Sequence, residues 1–321
     1  METETVRIPL PPIRDDESGY KYLSKLADFI ISSPNNIYIF DFSKCSIISH
    51  NGLVAIGGLC NYLKQHEKNQ MFNGFGLRSI IRTRKIQFSI EKINSRLLER
   101  LQELGFWNYV HPDYGIVGSS DYIGYRQHDT VLNDSQIVDH LKDSWLTNEK
   151  LSVSESLKAE IVSSIYEIFI NAYGHGLKDN HNQQSVISCG YYEPKEKKLS
   201  LSVLDLGGGI VNSVQKHIPD LGKEAAFNWA LEVGNSTRTD SAPDLPRGLG
   251  FGILKDFVMI NGGVLRVCSD SYMAIVNPNG VYVTQSVPGR LLGTLVSITV
   301  NCDDKHYKLK SESEDLAPAY F

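Results

Sequence analysis

The chain has 321 residues, a formal net charge of −5, 41% apolar side chains and 21% charged ones. That length is about twice an ordinary domain and predicts two domains, while the composition excludes a disordered chain. The acidic balance argues against a broad nucleic-acid footprint.

At the start, METETVRIPLPP carries acidic residues and prolines where a signal peptide would have basic and then apolar ones. Residues 19–31 place Tyr22, Leu23, Leu26, Phe29 and Ile30 on one helical stripe, ended by the turn Ser32-Ser33-Pro34-Asn35. A β-rich run at 37–42 and the turn Ser49-His50-Asn51-Gly52 follow, then a helical spacing of Leu53, Ile56, Leu59, Cys60 and Leu63 over 53–65. A strand at 84–90 and a helix at 94–104, closed by Gly105, complete an alternation that predicts an α/β domain over 15–115. Residues 116–150 read as a connector, polar at first and helical around 135–145.

Ser152-Val153-Ser154-Glu155 has the spacing of a capping box. Leu157, Ile161, Ile165, Ile168 and Ala172 then mark one long helix ending at Gly174. Strand-like runs occupy 186–192, 199–204, 264–268, 273–276, 281–287 and 295–300, and Asn277-Pro278-Asn279-Gly280 is a hairpin turn. Residues 151–302 therefore predict an α/β sandwich with helices on one face of a mixed sheet, and 303–321 a polar, mobile tail. No internal repeat occurs. No apolar run nears the ~20 residues that cross a bilayer. Cys45, Cys60, Cys189, Cys268 and Cys302 form no CxxC pair, so neither a zinc site nor a disulfide framework is indicated, and reduced thiols suit a cytoplasmic protein.

Four features of the second half carry chemistry. Glu167 and Asn171 lie one turn apart on one helix face, beside the apolar stripe, and His175 follows four residues later. Leu204-Asp205-Leu206-Gly207-Gly208-Gly209 puts a carboxylate and then glycines at a strand end, where backbone and ligand can approach closely. Arg247-Gly248-Leu249-Gly250-Phe251-Gly252 opens an apolar helix with unpaired amides that suit phosphate. Gly293-Thr294 heads the last strand. Taken singly, each is more often a solvated face, a turn or a helix start.

In this order, the four blocks resemble the GHKL family of ATP-binding domains, whose ATP site is the Bergerat fold. The likeness covers about residues 152–302. It implies Glu167 as general base and Asn171 as ligand of Mg²⁺, with His175 nearby. Asp205 would accept the adenine amino group, with Thr294 supporting it and Gly207 and Gly209 passing close to base and ribose. Gly248, Leu249, Gly250, Phe251 and Gly252 would wrap the phosphates, with Arg247 as charge partner. Residues between Ile210 and Arg247 would form the ATP lid.

The first half resembles a STAS domain: the run 37–42 followed by Ser49-His50-Asn51-Gly52-Leu53 stands where that family has its phosphate-acceptor loop. His50 or Asn51 occupies the acceptor position. Together, the resemblances imply a cytoplasmic regulatory ATPase or kinase that binds Mg-ATP and switches protein contacts through its lid. Its partner would be STAS-like or a regulatory factor encoded nearby, with neither membrane nor nucleic acid expected and a homodimer left open. The alternatives are a serine/threonine kinase acting on a separate STAS-like protein and a non-catalytic nucleotide sensor. A histidine kinase would need an upstream acceptor helix with dimerisation heptads, and a topoisomerase or mismatch-repair ATPase a further domain after 302.

Overall fold

The computed structural model describes residues 4–73, 85–107, 122–128, 134–176, 186–232, 235, 250–279 and 283–313; the side chains of 67–73, 122, 134, 136, 170–176, 250–251, 283–285 and 313 lie outside that description. Strands β1 (Thr5–Pro9), β2 (Ile37–Asp41) and β3 (Ile86–Ser89) form a parallel sheet in that order. Helix α1 (Glu17–Ser32) joins the first pair and α2 (His50–Asn73) the second, with α3 (Ser95–Glu103) following β3. Parallel neighbours need such crossovers, and their shared hand puts both helices on one face. Tyr38 of β2 faces them, its ring edge-on to Phe29 of α1 at 6.1 Å. Asp16 starts α1 by accepting the Gly19 amide at 2.9 Å, and Asn94 starts α3 by accepting that of Arg96 at 3.0 Å.

The second sheet holds β4 (Tyr122–His128), β5 (Val186–Glu193), β6 (Lys198–Asp205), β7 (Val264–Val276) and β8 (Val283–Asn301), in the order β4-β5-β6-β8-β7. Every neighbouring pair is antiparallel, so the expected mixed sheet is corrected. The reason is connectivity: β5–β6 and β7–β8 are hairpins, and the second hairpin docks through β8 rather than β7. The strand runs expected at 264–268 and 273–276 are one bulged strand, and 295–300 joins the described part of the run at 281–287, from Val283 on, in another; 281–282 lie outside the described residues.

Alternation sends side chains to two cores. Leu199, Leu201, Val203, Val296, Ile298, Leu265 and Val267 meet α4 (Asp134–His140), α5 (Glu155–Gly176), α6 (Gly209–His217), α7 (Lys223–Leu231) and α8 (Gly250–Asn261). On the other face Ile187, Cys189, Leu204, Leu295 and Cys268 meet α1 and α2. Helices thus cover both faces, not one, and α1 and α2 lie between the two sheets. That position explains α2: Leu53, Val54, Ala55 and Ile56 are all buried although they point in successive directions around the helix. The helix also starts at His50, because Ser49 already accepts the Leu53 amide at 3.1 Å; the expected turn at 49–52 is its first turn.

The stretch read as a connector supplies β4, α4 and a π turn (Leu141–Trp145), and buries Ile137, Leu141 and Trp145 in the first core. The cap of α5 is Ser154, whose Oγ accepts the Leu157 amide at 3.2 Å, while Ser152 pairs with His306. The tail is anchored as far as Glu312: Tyr307 is buried edge-on to Phe257 at 5.7 Å, and Glu312 accepts the Ser154 hydroxyl at 2.7 Å. All five cysteines are buried and free. Among the described residues no helix is long and apolar enough to cross a membrane.

Candidate functional site

Strands β6, β8 and β7 carry two polar rows across the second sheet. Asp205 pairs with Thr294 and Thr294 with Ser269; Ser202 pairs with Ser297 and Ser297 with Arg266. The rows stand three residues apart on each strand, an odd offset that aims them at opposite faces.

The first row lies on the face that packs against α5 and α8. Asp205 Oδ1 accepts the Gly207 amide at 2.7 Å. Burial pushes the Asp205 carboxyl up to about 6, against the pull of the Gly207 amide and of the Thr294 hydroxyl and amide. Ser269 donates to the Gly293 carbonyl at 2.9 Å, accepts the Ile210 amide at 2.9 Å and lies 3.2 Å from Thr294 Oγ1. Gly293 has φ 71, and a Cβ there would overlap the Asp205 carbonyl, so this close approach admits no side chain. A carboxyl at a strand end, flanked by a hydroxyl and glycines, can accept hydrogen bonds from the edge of a flat ligand.

Of the residues singled out by sequence, Asp205, Gly207, Gly209 and Thr294 converge here from two stretches of chain. Glu167 is half-buried on α5. Asn171 and His175 lie one and two turns farther along that helix, with side chains outside the described residues. Gly250, Phe251 and Gly252 form the first turn of α8, which packs beside α5. Arg247, Gly248 and Leu249 lie outside the described residues. Much of the expected lid is fixed structure: α6 and α7 pack on the sheet, Phe227 is buried and its ring stacks on Tyr272 at 5.7 Å. The remaining stretch, 233–249, is described only at Asn235.

The second row is closed by the N-terminal layer. Arg266 donates to Asp15 Oδ2 at 2.7 Å, Tyr20 donates to Asp15 Oδ1 at 3.0 Å, and His50 Nδ1 lies 2.6 Å from Ser202 Oγ, which also pairs with Ser297. Burial lowers the His50 imidazole to about 4 despite the opposing pull of Asp15, so the ring is neutral near pH 7. Ser202, His50 and Asp15 follow the order of a nucleophile, base and acid. Yet His50 Nε2 is 3.8 Å from Asp15 Oδ2, and Ser202 and His50 are buried between sheet and helix, with no approach for a substrate.

The same burial bears on the loop likened to a phosphate acceptor. Ser49, His50 and Asn51 are 6%, 1% and 0% exposed, which closes them to any phosphoryl donor.

Sequence reasoning missed Ser269 and the whole second row. The signals were faint: single polar residues in the apolar strands VLRVCS, LSLSV and VSITV. No protein-family model matches this chain, and no curated protein does. Among the described residues no group of three or more His, Cys, Asp or Glu is arranged to hold a metal ion.

Proposed function

We propose that this chain is a regulatory ATP-binding protein that binds Mg-ATP at the Asp205–Thr294 end of the antiparallel sheet. It hydrolyses the nucleotide or transfers its γ-phosphate, and so switches contacts with a protein partner in the cytoplasm. On this reading the antiparallel sheet with α5 and α8 is a Bergerat-type domain, and the N-terminal layers are STAS-like. The observation that carries it is the meeting of the Asp205 and Gly293-Thr294 blocks around one half-buried carboxyl.

Asp205 accepts the adenine amino group, supported by Thr294. Asn171 would supply an oxygen to Mg²⁺, a hard cation that keeps several waters and needs few protein ligands. Gly248, Gly250 and Gly252 face the phosphates with backbone amides, and Glu167 takes the proton of the attacking water or acceptor hydroxyl. A protein acceptor is a separate STAS-like or regulatory protein, because the chain's own 49–51 segment is buried.

The test is γ-labelled ATP with the pure protein and with its Glu167→Ala variant. Tight Mg-dependent binding is expected from both, with release or transfer of label slowed in the variant by ~10²–10⁴-fold. Equal turnover removes Glu167 from the mechanism, and absence of binding by the parent chain overturns the reading.

A further inference from the structure

Ser269 stands where β7 departs from regular pairing. Its register with β8 shifts between Ser269 and Asp270 and again before Tyr272, and Asp270 has φ 52, a region that non-glycine residues rarely enter. Such bulges re-aim a side chain, and they and strained backbone gather at functional sites. The Ser269 hydroxyl is fully buried, and its three partners are Ile210, Gly293 and Thr294. One lies just after the turn that follows Asp205, and the others lie on the strand beside Asp205. Thr294 is the register partner of Asp205 across the β6–β8 pair and draws its carboxyl down, so Ser269 holds the hydroxyl of the residue beside that carboxyl. A side chain at Gly209 would place its Cβ 2.7 Å from Ser269 Oγ, so a glycine there is what leaves the hydroxyl its place.

We propose that Ser269 is a positioning residue that sets purine selectivity. By tying the Ile210 amide to the Gly293-Thr294 segment, it keeps the Asp205 carboxyl aimed as an acceptor. An adenine in that pose offers its exocyclic amino group, whereas a guanine offers a 6-oxo group that the carboxyl repels. This inference rests on the nucleotide reading above.

The experiment measures Mg-ATP and Mg-GTP affinities and thermal melts for the parent chain, Ser269→Ala, Ser269→Cys and Ser202→Ala. The parent should prefer ATP. Ser269→Ala should lose about tenfold of the ATP:GTP ratio through weaker ATP binding, with GTP affinity nearly unchanged. Ser269→Cys keeps a similar shape with a poorer donor and should lose part of the ratio. Ser202→Ala removes a buried hydroxyl from the other row and should lower the melting temperature while leaving the ratio alone. A ratio unchanged in Ser269→Ala, or equal loss of both nucleotides, overturns the inference and leaves the ATP reading standing. If Ser269→Ala does not fold, Ser269→Cys decides; if neither folds, Ser269 is a folding residue and the inference is overturned. A parent chain that binds neither nucleotide overturns the ATP reading and this inference with it.

Discussion

The two polar rows use the same three strands at the same offset, yet they differ in how they are completed. In the Ser202–Ser297–Arg266 row, Asp15, Tyr20 and His50 arrive from the N-terminal layer and answer the sheet's polar groups with a carboxylate, a phenol and an imidazole. In the Asp205–Thr294–Ser269 row, amides and hydroxyls pull the carboxyl down, and burial outweighs them. Buried polar groups that find partners across two layers tie a fold together, here with only Arg266 Nε of the row unpaired among the described residues, whereas a carboxyl held against its ordinary ionisation marks a place suited to recognition. One row is therefore an internal fastening and the other a candidate reading head, and substitutions should separate the two roles.

The largest effect is expected at the fastening. Arg266→Ala strands the Asp15 carboxylate in a largely buried setting and should cost roughly 3 kcal/mol of stability, read from denaturant midpoints. Nucleotide affinity of the folded fraction should stay within a few-fold; a larger loss would mean that the rows act as one unit.

Asp205→Asn should do the reverse. Losing a charged acceptor should weaken Mg-ATP binding by ~1.5–3 kcal/mol in calorimetry, while stability holds or rises. The sign follows from the raised carboxyl. Between the ordinary carboxylate range and about 6 the folded state holds more protons than the unfolded one, so the parent chain loses stability as pH rises through that window. The Asn variant should lack that slope. Mg-ATP affinity of the parent should change oppositely, improving as pH rises past about 6 and Asp205 ionises. A pH-independent affinity would detach Asp205 from the ligand.

The smallest effect concerns a polar group that belongs to neither row. His140 is buried, and neither ring nitrogen has a hydrogen-bond partner among the described residues. Burial, then the charges of Arg126 and His128, lower its imidazole to about 3. His140→Leu should raise stability by about 1 kcal/mol, because an apolar side chain removes the cost of unpaired nitrogens. A destabilised variant would assign the imidazole a role that packing does not explain.

Much of the fold was legible because it rests on local patterning. The stripes over 19–31 and 157–172 and the runs at 186–192 and 199–204 each became one element within a few residues. What sequence could not give was where the elements meet. The stripe of α1 points at β8, and α2 is apolar on every side over 53–60, which shows burial but not by what. The second row was illegible for the same reason: Ser202 and Ser297 look like outward positions of a half-exposed strand until α1 and α2 cover them. At the candidate site the glycines and Asp205 were readable because they punctuate apolar strands. Ser269 was not, since its importance comes from a bulge that no local rule marks.

The placement of α1 and α2 between two sheets also has a consequence for how the chain comes into being. The Arg266–Asp15 bond joins residues 251 positions apart, and His50–Ser202 joins residues 152 apart. A nascent chain emerging from its N-terminus exposes the apolar run 53–60 of α2 long before β6 and β8 exist to cover it. Closing such distant contacts is slow, and the waiting surface is prone to association. Recovery of soluble protein should therefore improve when synthesis is slowed by cold or accompanied by excess chaperone, and a fragment released before β8 should partition into aggregates.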